Sequence, residues 1–292
     1  MRLWIVVGEI GNYETWQKAV TAGKDLMKKY NLEISVYHRE DITYHIGGDG
    51  KPGLFANGVE TEAPDRVLLW GRCDGIMEGI SNQLTAMGTV SINTVEAKRI
   101  AGSKLATAQL LAREGIPQAK SMPIYHDTPK ELIIKEIGLP LVVKPDGGFG
   151  GAGIELLHTE EELEHYLESL PEKPQEVVLA QKFIASSKGR DVRVLMIGGK
   201  PVAAAQRYAT NDREFRSNVH LGGSWENYDI TDDMKVLCEK TVKLSGLAIC
   251  GLDLLFGENG FIIGEINCSP GMDALVPQIG MERFVKIICS VL

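Results

Sequence analysis

Two apolar strands near the end of the chain carry side chains that can bind a metal ion. The segment GLDLLFGENGFIIGEINCSPG contains Asp253, Glu265 and Asn267 but no lysine or arginine. Alternation puts Glu265 and Asn267 on one face, and a three-residue turn ending at a left-handed Gly260 would put Asp253 opposite Glu265. Oxygen donors without sulfur or imidazole suit Mg²⁺ or Mn²⁺. Pairing with distant arginines, or a protonated carboxyl, is the alternative, because a lone buried carboxylate is costly.

A glycine-rich loop, GGFGGAG at 147–153, follows a strand that carries Lys144. It satisfies G-x-G-x-x-G, but the strand-like IELLH follows it where a dinucleotide site needs a helix, and no G-K-[ST] completes a Walker loop. Backbone N–H groups of such a loop can approach phosphate oxygens, and the lysine adds charge. We expect a flap over a nucleotide; an exposed turn is the alternative. The candidate loop residues are Gly148, Gly150, Gly151 and Gly153.

Three arginines add cationic groups to the second half of the chain. Arg193 and Arg207 lie on a predicted hairpin around Gly198-Gly199, and Arg216 begins RSNVHLGG. Guanidinium groups bind carboxylate and phosphate oxygens in pairs. With the flap and the acidic hairpin, they indicate a site where a carboxylate meets ATP.

The elements around these residues predict an α/β part followed by an α+β part. Residues 1 to about 93 alternate strand and helix signals, which is typical of a layer with mostly parallel strands. From about 120 onward, hairpins and helices come in separate runs. Ser103, Thr159 and Thr231 can cap helices, with Glu162 completing a capping box. A helix over MERFVKIICSVL is expected to end the chain.

The ordered motifs resemble one known family. LVVKPDGGFGGAGI, LAQKFI, GRDVRVLMIGGKPVAAAQR, FRSNVHLGG, GLDLLF and GEINCSPG are similar to the ATP-grasp superfamily, and within it to the RimK-type alpha-L-glutamate ligases. The resemblance implies an α+β ATP-grasp fold, with two α+β subdomains that grip ATP. It would span 94–292, with a nucleotide-flap part at about 94–184 and a metal-binding part at about 185–292. A small α/β pre-ATP-grasp domain would occupy 1–93.

The resemblance also implies roles for single residues. The residues that would bind ATP, besides the loop glycines, are Lys104, Lys144, Gln181, Lys182, Phe183, Ile184, Asp191, Arg216 and Asn218. The two lysines would contact phosphates, and segment 182–184 the adenine. Asp191 would lie at the ribose, and Arg216 and Asn218 near the γ-phosphate.

Metal and catalytic roles follow from the same resemblance. Asp253, Glu265 and Asn267 would hold two Mg²⁺ ions, for which Mn²⁺ could substitute. Arg207 would steady the acyl phosphate or the incoming carboxylate. The other expected catalytic cations are Arg193 and Arg216.

The implied reaction is carboxylate–amine ligation. ATP converts a carboxylate to an acyl phosphate, and an amine displaces the phosphate to give an amide. The expected partners are an amino acid, with glutamate foremost, and a small carboxylate or peptide C-terminus, with Arg72 as a candidate acceptor contact. A nucleotide-binding regulator that has lost ligase activity and a dipeptide ligase are the alternatives, the former motivated by Lys182 where the family usually has Glu.

Composition excludes several classes of protein. The net charge of −8 argues against a broad nucleic-acid surface, and the apolar runs are too short for a membrane span. Five scattered cysteines without a C-x-x-C pair indicate reduced thiols and a cytoplasmic protein. Cys268 is interpreted as a packed thiol and not a nucleophile. We expect a homo-oligomer with no nucleic-acid or membrane partner.

Overall fold

A computed structural model describes residues 1–8, 10–47, 52–147, 151–211, 214–217, 222–271, 279–280, 282 and 286. The expected C-terminal helix therefore lies almost wholly outside the described residues. None of the described helices is long and apolar enough to cross a membrane.

The N-terminal sheet is parallel throughout, as the alternating pattern predicts. Its strands are β1 (Arg2–Val7), β2 (Glu33–His38), β6 (Arg66–Trp70) and β7 (Val90–Ser91), in the order β2-β1-β6-β7. The helices of this part are α1 (Ile10–Ala22), α2 (Lys24–Lys29) and α3 (Gly75–Ala86). A small antiparallel sheet lies beside it, formed by β3 (Ile42–His45), β4 (Gly53–Ala56) and β5 (Val59–Glu60).

Two helices lead to a third sheet, which is antiparallel and which we call the middle sheet. The helices are α4 (Val95–Gly102) and α5 (Lys104–Arg113), and the Ser103 hydroxyl caps α5 by accepting from Ala106 N. The middle sheet contains β8 (Ser121–Ile124), β9 (Leu141–Pro145), β10 (Glu155–Leu157) and β11 (Val178–Lys182), in the order β10-β9-β11-β8. Its helices are α6 (Lys130–Glu136) and α7 (Glu160–Ser169).

Cap predictions hold at two later helices. Thr159 accepts from Glu162 N at the start of α7, but the Glu162 carboxylate bonds His158 N and not Thr159 N, so the predicted box is shifted by one residue. The last helix whose bounds the structure describes is α8 (Asp232–Ser245). Thr231 caps it, and Gly246 ends it in the left-handed region at φ 69°.

The C-terminal sheet is antiparallel and carries most of the predicted site. Its strands are β12 (Arg190–Ile197), β13 (Lys200–Tyr208), β14 (Ser224–Asn227), β15 (Ile249–Gly257) and β16 (Gly260–Asn267), in the order β14-β13-β12-β15-β16. The predicted hairpin at Gly198-Gly199 joins β12 to β13, and both glycines have positive φ, which suits a two-residue hairpin turn.

The two faces of β12 show how the sheet is held. Val192, Val194 and Met196 are buried in a core shared with α8. Leu195 and Ile197 point the other way, into a core shared with the N-terminal sheet. Because side chains alternate, Arg193 and Asp191 lie on this second face, beyond its apolar half. Packing of Leu195 and Ile197 on the N-terminal sheet therefore fixes the position of the half of this face that carries Asp191 and Arg193.

Candidate functional site

Asp253 and Glu265 lie directly opposite each other on β15 and β16, as the sequence predicts. The predicted three-residue turn is wrong, because Gly257 pairs with Gly260 and leaves two residues in the turn. Gly260 does have positive φ, 116°. Between Leu254 and Asp253 the register shifts by one residue, and Gly264 has no partner across the ladder. This bulge brings the two carboxylates back into opposition.

The other two predicted metal ligands are placed less deeply than Asp253. The Glu265 side chain is 42% exposed, and its Oε1 atom lies 3.7 Å from Nζ of Lys104. Asn267 pairs with Gly251, and its Oδ1 accepts a hydrogen bond of 3.1 Å from Ser269 N.

A chain of alternating charges runs from Asp253 into the sheet. Arg193 Nε and Nη2 each donate to one oxygen of Asp253 at 2.7 Å. Arg207 Nη2 lies 2.9 Å from Oδ2 of Asp253, and the same guanidinium pairs with both oxygens of Asp191. The alternative of pairing with distant arginines is therefore realised for Asp253. The predicted ribose residue Asp191 is buried in this network.

The network stabilises charge in a buried place. Burial opposes ionisation of Asp253, but Arg193 and Arg207 outweigh it and hold the pKa of that carboxyl well below its ordinary value. Burial likewise opposes the charge on Arg207, but Asp253 and Asp191 raise the pKa of its guanidinium above the ordinary value. Asp253 and Arg207 are therefore both charged at neutral pH.

The donor set still has capacity for Mg²⁺. A carboxylate offers about four lone-pair positions, and three of those on Asp253 accept arginine N–H groups. Glu265 is partly exposed, and one bond occupies the Asn267 oxygen. Within the described parts of the chain, no three acidic, histidine or cysteine side chains form a metal cluster. The set of two carboxylates and one amide fits a hard cation whose remaining ligands are phosphate oxygens or water.

A pocket next to β16 gathers the predicted phosphate lysines. Lys104, Lys144, Gln181 and Glu265 line it, so the middle sheet, the C-terminal sheet and α5 all border it. Lys144 is nearly buried, and its Nζ donates to Gln181 Oε1 at 2.9 Å. Burial lowers the pKa of Lys144 to about 8, while Glu265 opposes this shift and Lys104 reinforces it.

Lys104 is held by a residue that the sequence reasoning missed. Asp146, which follows β9, accepts from Leu105 N at 2.7 Å, and its carbonyl accepts from Lys104 Nζ at 3.2 Å. Asp146 therefore anchors the start of α5 and directs its first lysine toward the pocket. The KPDGG motif contained this signal, because a carboxylate before a glycine loop often bonds nearby backbone N–H groups.

The end of the glycine loop contacts the segment that carries Arg216. Gly151 and Gly153 have positive φ of 84° and 68°. Arg216 Nη1 donates to Gly151 O at 2.9 Å, and its other nitrogens pair with both oxygens of Glu214. Hydrogen bonding from Arg216 lowers the pKa of Glu214, also missed in the sequence, to about 2. The candidates Gly148, Gly150 and Asn218 lie outside the described residues.

The predicted adenine segment lies at the end of β11. Lys182 is exposed, and its N–H donates to Lys120 O at 2.9 Å. Phe183 is partly buried and contacts Phe215 edge to face, with ring centroids 6.4 Å apart. The carbonyl of Ile184 accepts from Ser187 N, so part of this backbone is already paired.

The predicted acceptor contact lies at the base of the glycine loop. Arg72 is exposed, and a Cβ atom built on Gly147 would lie 2.9 Å from its Nη2. The same Cβ would lie 2.7 Å from Oε1 of Glu176, which accepts from Gly147 N. Arg72 therefore stands between the N-terminal sheet and the loop; its role with an acceptor stays a prediction.

The site as a whole alternates cations with carboxylates. Its cations are Lys104, Lys144, Arg193 and Arg207, and its carboxylates are Asp146, Asp191, Asp253 and Glu265. Lys104 and Lys144 both border the pocket, and such cations favour a polyphosphate anion there. Two antiparallel sheets bordering one pocket, with a glycine loop joining two strands of the middle sheet, are the arrangement of an ATP-grasp enzyme.

Comparison with known proteins agrees with this class. Solved structures with the same fold include the ATP-grasp ligase PsnB complexed with minimal precursor, Mg and ADP, with a TM-score of 0.68 and 20% identity over 99% of this chain and 98% of that one. They also include D-alanine–D-alanine ligase from Bacillus anthracis, with a TM-score of 0.67 and 18% identity over 100% and 97% of the two chains. At these identities the likeness shows the fold.

The family is shown by sequence. The RimK-like ATP-grasp domain matches residues 101–291. A probable alpha-L-glutamate ligase of Thioalkalivibrio sulfidiphilus (strain HL-EbGR7) is 34% identical over 245 residues, 82% of this chain and 79% of the relative. A protein of the same name from Methanococcoides burtonii is 34% identical over 255 residues, 85% and 81% of the two chains. The chain belongs to the RimK-like ATP-grasp family, and it is an ATP-dependent carboxylate–amine ligase.

Proposed function

We propose that this ligase joins L-glutamate, through its amine, to the carboxylate of a peptide C-terminus or a small molecule by way of an acyl phosphate. The relatives named alpha-L-glutamate ligase support the amino acid. The observation that carries the proposal is the pocket where Lys104, Lys144 and Glu265 meet, one strand from the Arg193–Asp253 pair. The groups proposed to bind phosphate and those proposed to bind carboxylate thus adjoin through the opposed pair Asp253 and Glu265.

The lysines supply the charge that phosphoryl transfer needs. Phosphoryl transfer depends mostly on positioning and on neutralising the charge of the phosphates. Lys144 is held by Gln181, which in turn donates to Ser121 Oγ at 2.8 Å, so the ammonium is oriented before ATP arrives. Lys104 is oriented by Asp146. Both would bind phosphate oxygens, and no protein nucleophile is required.

The arginines retain donors for the reacting carboxylate. Arg193 and Arg207 use Nε and Nη2 on Asp253 and Asp191. In the part of the chain that the structure describes, their Nη1 groups make no hydrogen bond. These N–H groups would bind the acceptor carboxylate and then the developing charge of the acyl phosphate.

The acidic hairpin would hold the metal. Asp253, Glu265 and Asn267 would bind Mg²⁺, two ions in the full complex, with Mn²⁺ as a substitute. Bound Mg²⁺ neutralises phosphate charge and orients the γ-phosphate. Arg216, joined to Gly151, would close the glycine loop over the nucleotide and keep water from the acyl phosphate.

A substrate matrix tests the proposal. The protein is incubated with ATP and Mg²⁺, with each of a panel of L-amino acids or D-alanine, and with carboxylate acceptors that include peptides and small acids. Phosphate release and the mass of the product are measured. Phosphate should appear only when glutamate and an acceptor are both present, with a mass gain of one glutamyl residue. Product with D-alanine but not glutamate would identify a dipeptide ligase instead.

A pair of variants on one hairpin shows whether the assigned site makes the product. Glu265→Gln should abolish product, because the amide cannot replace a charged metal ligand. Glu258→Gln is the matched control, because Glu258 is exposed in the turn of the same hairpin. Equal activity of both variants would contradict the assigned site.

A further inference from the structure

Lys98 is a buried cation that the proposed reaction does not use. It lies on α4 and is 1% exposed. Its Nζ atom donates to the carbonyls of Leu69 and Gly71 at 3.0 and 2.9 Å. It also contacts Oγ of Ser269 at 3.3 Å and Sγ of Cys268 at 3.7 Å.

The ammonium has no carboxylate partner among the described residues. An apolar side chain of similar length would fill the same volume without desolvating a charge, which makes an unpaired buried ammonium expensive. Here two carbonyls and a hydroxyl compensate it, and they come from two distant parts of the chain. A charged side chain that joins these two parts of the chain suggests that Lys98 holds them in position relative to each other.

One side of the junction is the carboxyl end of β6. Because the strand order is β2-β1-β6-β7, the chain reverses direction across the sheet between β1 and β6. Ligands of open parallel sheets bind outside the carboxyl ends of the strands at this point. Gly71 has a φ of 115°, and a Cβ there would lie 3.4 Å from Gly8 N, so the backbone is tightly packed where such a crevice would begin.

The other side is the segment 267–269, which begins at the last residue of β16. Ser269 Oγ accepts from Gly71 N at 2.9 Å, while Ser269 N donates to Oδ1 of Asn267 at 3.1 Å. Asn93 donates to the carbonyl of Ile249 at 2.7 Å and tethers the adjoining β15. Lys98 therefore forms hydrogen bonds to two places. One is Ser269, two residues after the proposed metal ligand Asn267, and the other is the carboxyl end of β6, which would border the crevice.

We propose that Lys98 is a positioning residue of the ligase, which fixes segment 267–269 against the carboxyl end of β6. In this way it sets the position of Asn267 relative to a carboxylate bound in the crevice. The proposal rests on the metal role given to Asn267 in the proposed function. Lys98 itself touches neither substrate nor metal; it acts through Ser269 and Gly71.

A double-mutant cycle tests this coupling. Lys98→Gln keeps a donor but removes the charge, and Ser269→Ala removes the hydroxyl that receives it. Each variant should raise the Mg²⁺ concentration that gives half-maximal ADP formation. For Lys98→Gln we expect about a tenfold increase, because the loss of a group that supports a metal ligand weakens metal binding by about that factor. The double variant should be little worse than Lys98→Gln, because both changes break one contact. Strictly additive effects, or Lys98→Gln with wild-type Mg²⁺ dependence, overturn the proposal.

Amide hydrogen exchange supplies a readout independent of activity. Peptides covering 265–271 should exchange several-fold faster in Lys98→Gln than in the wild type. Thr89→Val is the control, because it removes a buried hydrogen bond of 2.7 Å to Pro64 O near the same sheet without touching the segment. It should lower Tm but leave both readouts unchanged. If Lys98→Gln does not fold, Ser269→Ala alone decides, and unchanged exchange and Mg²⁺ dependence reject the role.

Asn267→Ala separates failure of this inference from failure of the proposed function. If Asn267→Ala leaves the Mg²⁺ requirement unchanged, the metal assignment fails. If Asn267→Ala shifts the requirement and Lys98→Gln does not, only the role of Lys98 fails.

Discussion

Arg193 and Asp253 face each other across β12 and β15, joined by two hydrogen bonds of 2.7 Å. A paired guanidinium–carboxylate contact fixes the plane of the carboxylate. Because Arg207 adds a bond of 2.9 Å to the same carboxylate, Asp253 is oriented by protein groups alone. We therefore expect this one aspartate to serve both stability and the proposed metal binding.

Asp253→Asn should damage both properties. The amide keeps the shape but leaves two buried arginines with one carboxylate between them, and breaking a buried ion pair costs about 3–5 kcal/mol. We expect a loss of that order in the free energy of unfolding, measured by urea denaturation, and no detectable ligation. Asp127→Asn, at a side chain that is 96% exposed, should change neither. An Asp253→Asn protein of wild-type stability would contradict the network.

The sequence could not predict which arginines pair with Asp253. It offered pairing with distant arginines as the alternative to metal binding, and it identified every member of the network as a site residue. Their pairing depends on β12 lying beside β15, and the paired residues are 60 positions apart. Caps and short hairpins were predictable because their partners lie within a few residues, as at Ser103 and Gly198-Gly199.

Nucleotide affinity should fall as pH rises through about 8. Burial lowers the pKa of Lys144 to about 8, so its ammonium is mostly charged at pH 7 and mostly neutral at pH 9. A bound phosphate favours the charged form, so binding takes up a proton near pH 8 and affinity declines by at most about tenfold per pH unit. Calorimetric titration with ADP and Mg²⁺ between pH 7 and 9 measures this slope.

Substitutions of two lysines show which group causes the pH dependence of the ADP affinity. Lys144→Met should bind ADP about tenfold or more weakly at pH 7, because it loses a charge-assisted hydrogen bond. Its affinity should no longer fall near pH 8. Lys235→Met, at an exposed position on α8, should keep both the affinity and the slope of the wild type. A slope that persists in Lys144→Met would assign the titration to another group.

Arg216→Met should loosen the glycine loop. The change removes the 2.9 Å bond to Gly151 O and the cation that we propose lies near the phosphates. We expect a KM for ATP about tenfold higher, the size of one lost charge-assisted hydrogen bond. Hydrogen exchange should also be faster in peptides that include Gly151. Arg99→Met, which breaks a surface pair with Glu78, is the control. Unchanged exchange at Gly151 would show that this contact does not hold the loop.

The acidic hairpin was predicted correctly for an incorrect reason. A three-residue turn and a two-residue turn followed by a bulge give the same opposition of Asp253 and Glu265, because each adds one residue to β16 relative to β15. Alternation and turn signals cannot separate the two, since the bulge depends on packing between strands. The signal available was Gly264 itself, a glycine inside a strand.

Gly264→Ala tests whether the bulge sets the site. A Cβ at this position would lie 3.0 Å from Cγ of Leu255 and 3.2 Å from the carbonyl oxygen of Asp253. Because the Asp253 oxygen is a backbone atom of the paired strand, it cannot move aside alone and the strands must shift, at a cost of about 1–3 kcal/mol. The shift would move Glu265 relative to Asp253. We therefore expect lower stability in urea and a higher Mg²⁺ concentration for half-maximal ADP formation.

Gly75→Ala is the matched control for this change. No atom lies within 4 Å of a Cβ built on Gly75, and the residue begins α3, far along the chain from the hairpin. Alanine is a better helix former than glycine, so stability should be unchanged or slightly higher, with normal Mg²⁺ dependence. If Gly264→Ala loses stability but keeps the Mg²⁺ dependence of the wild type, the two carboxylates do not act together on one ion. In that case the opposition of Asp253 and Glu265 serves the sheet and not the metal.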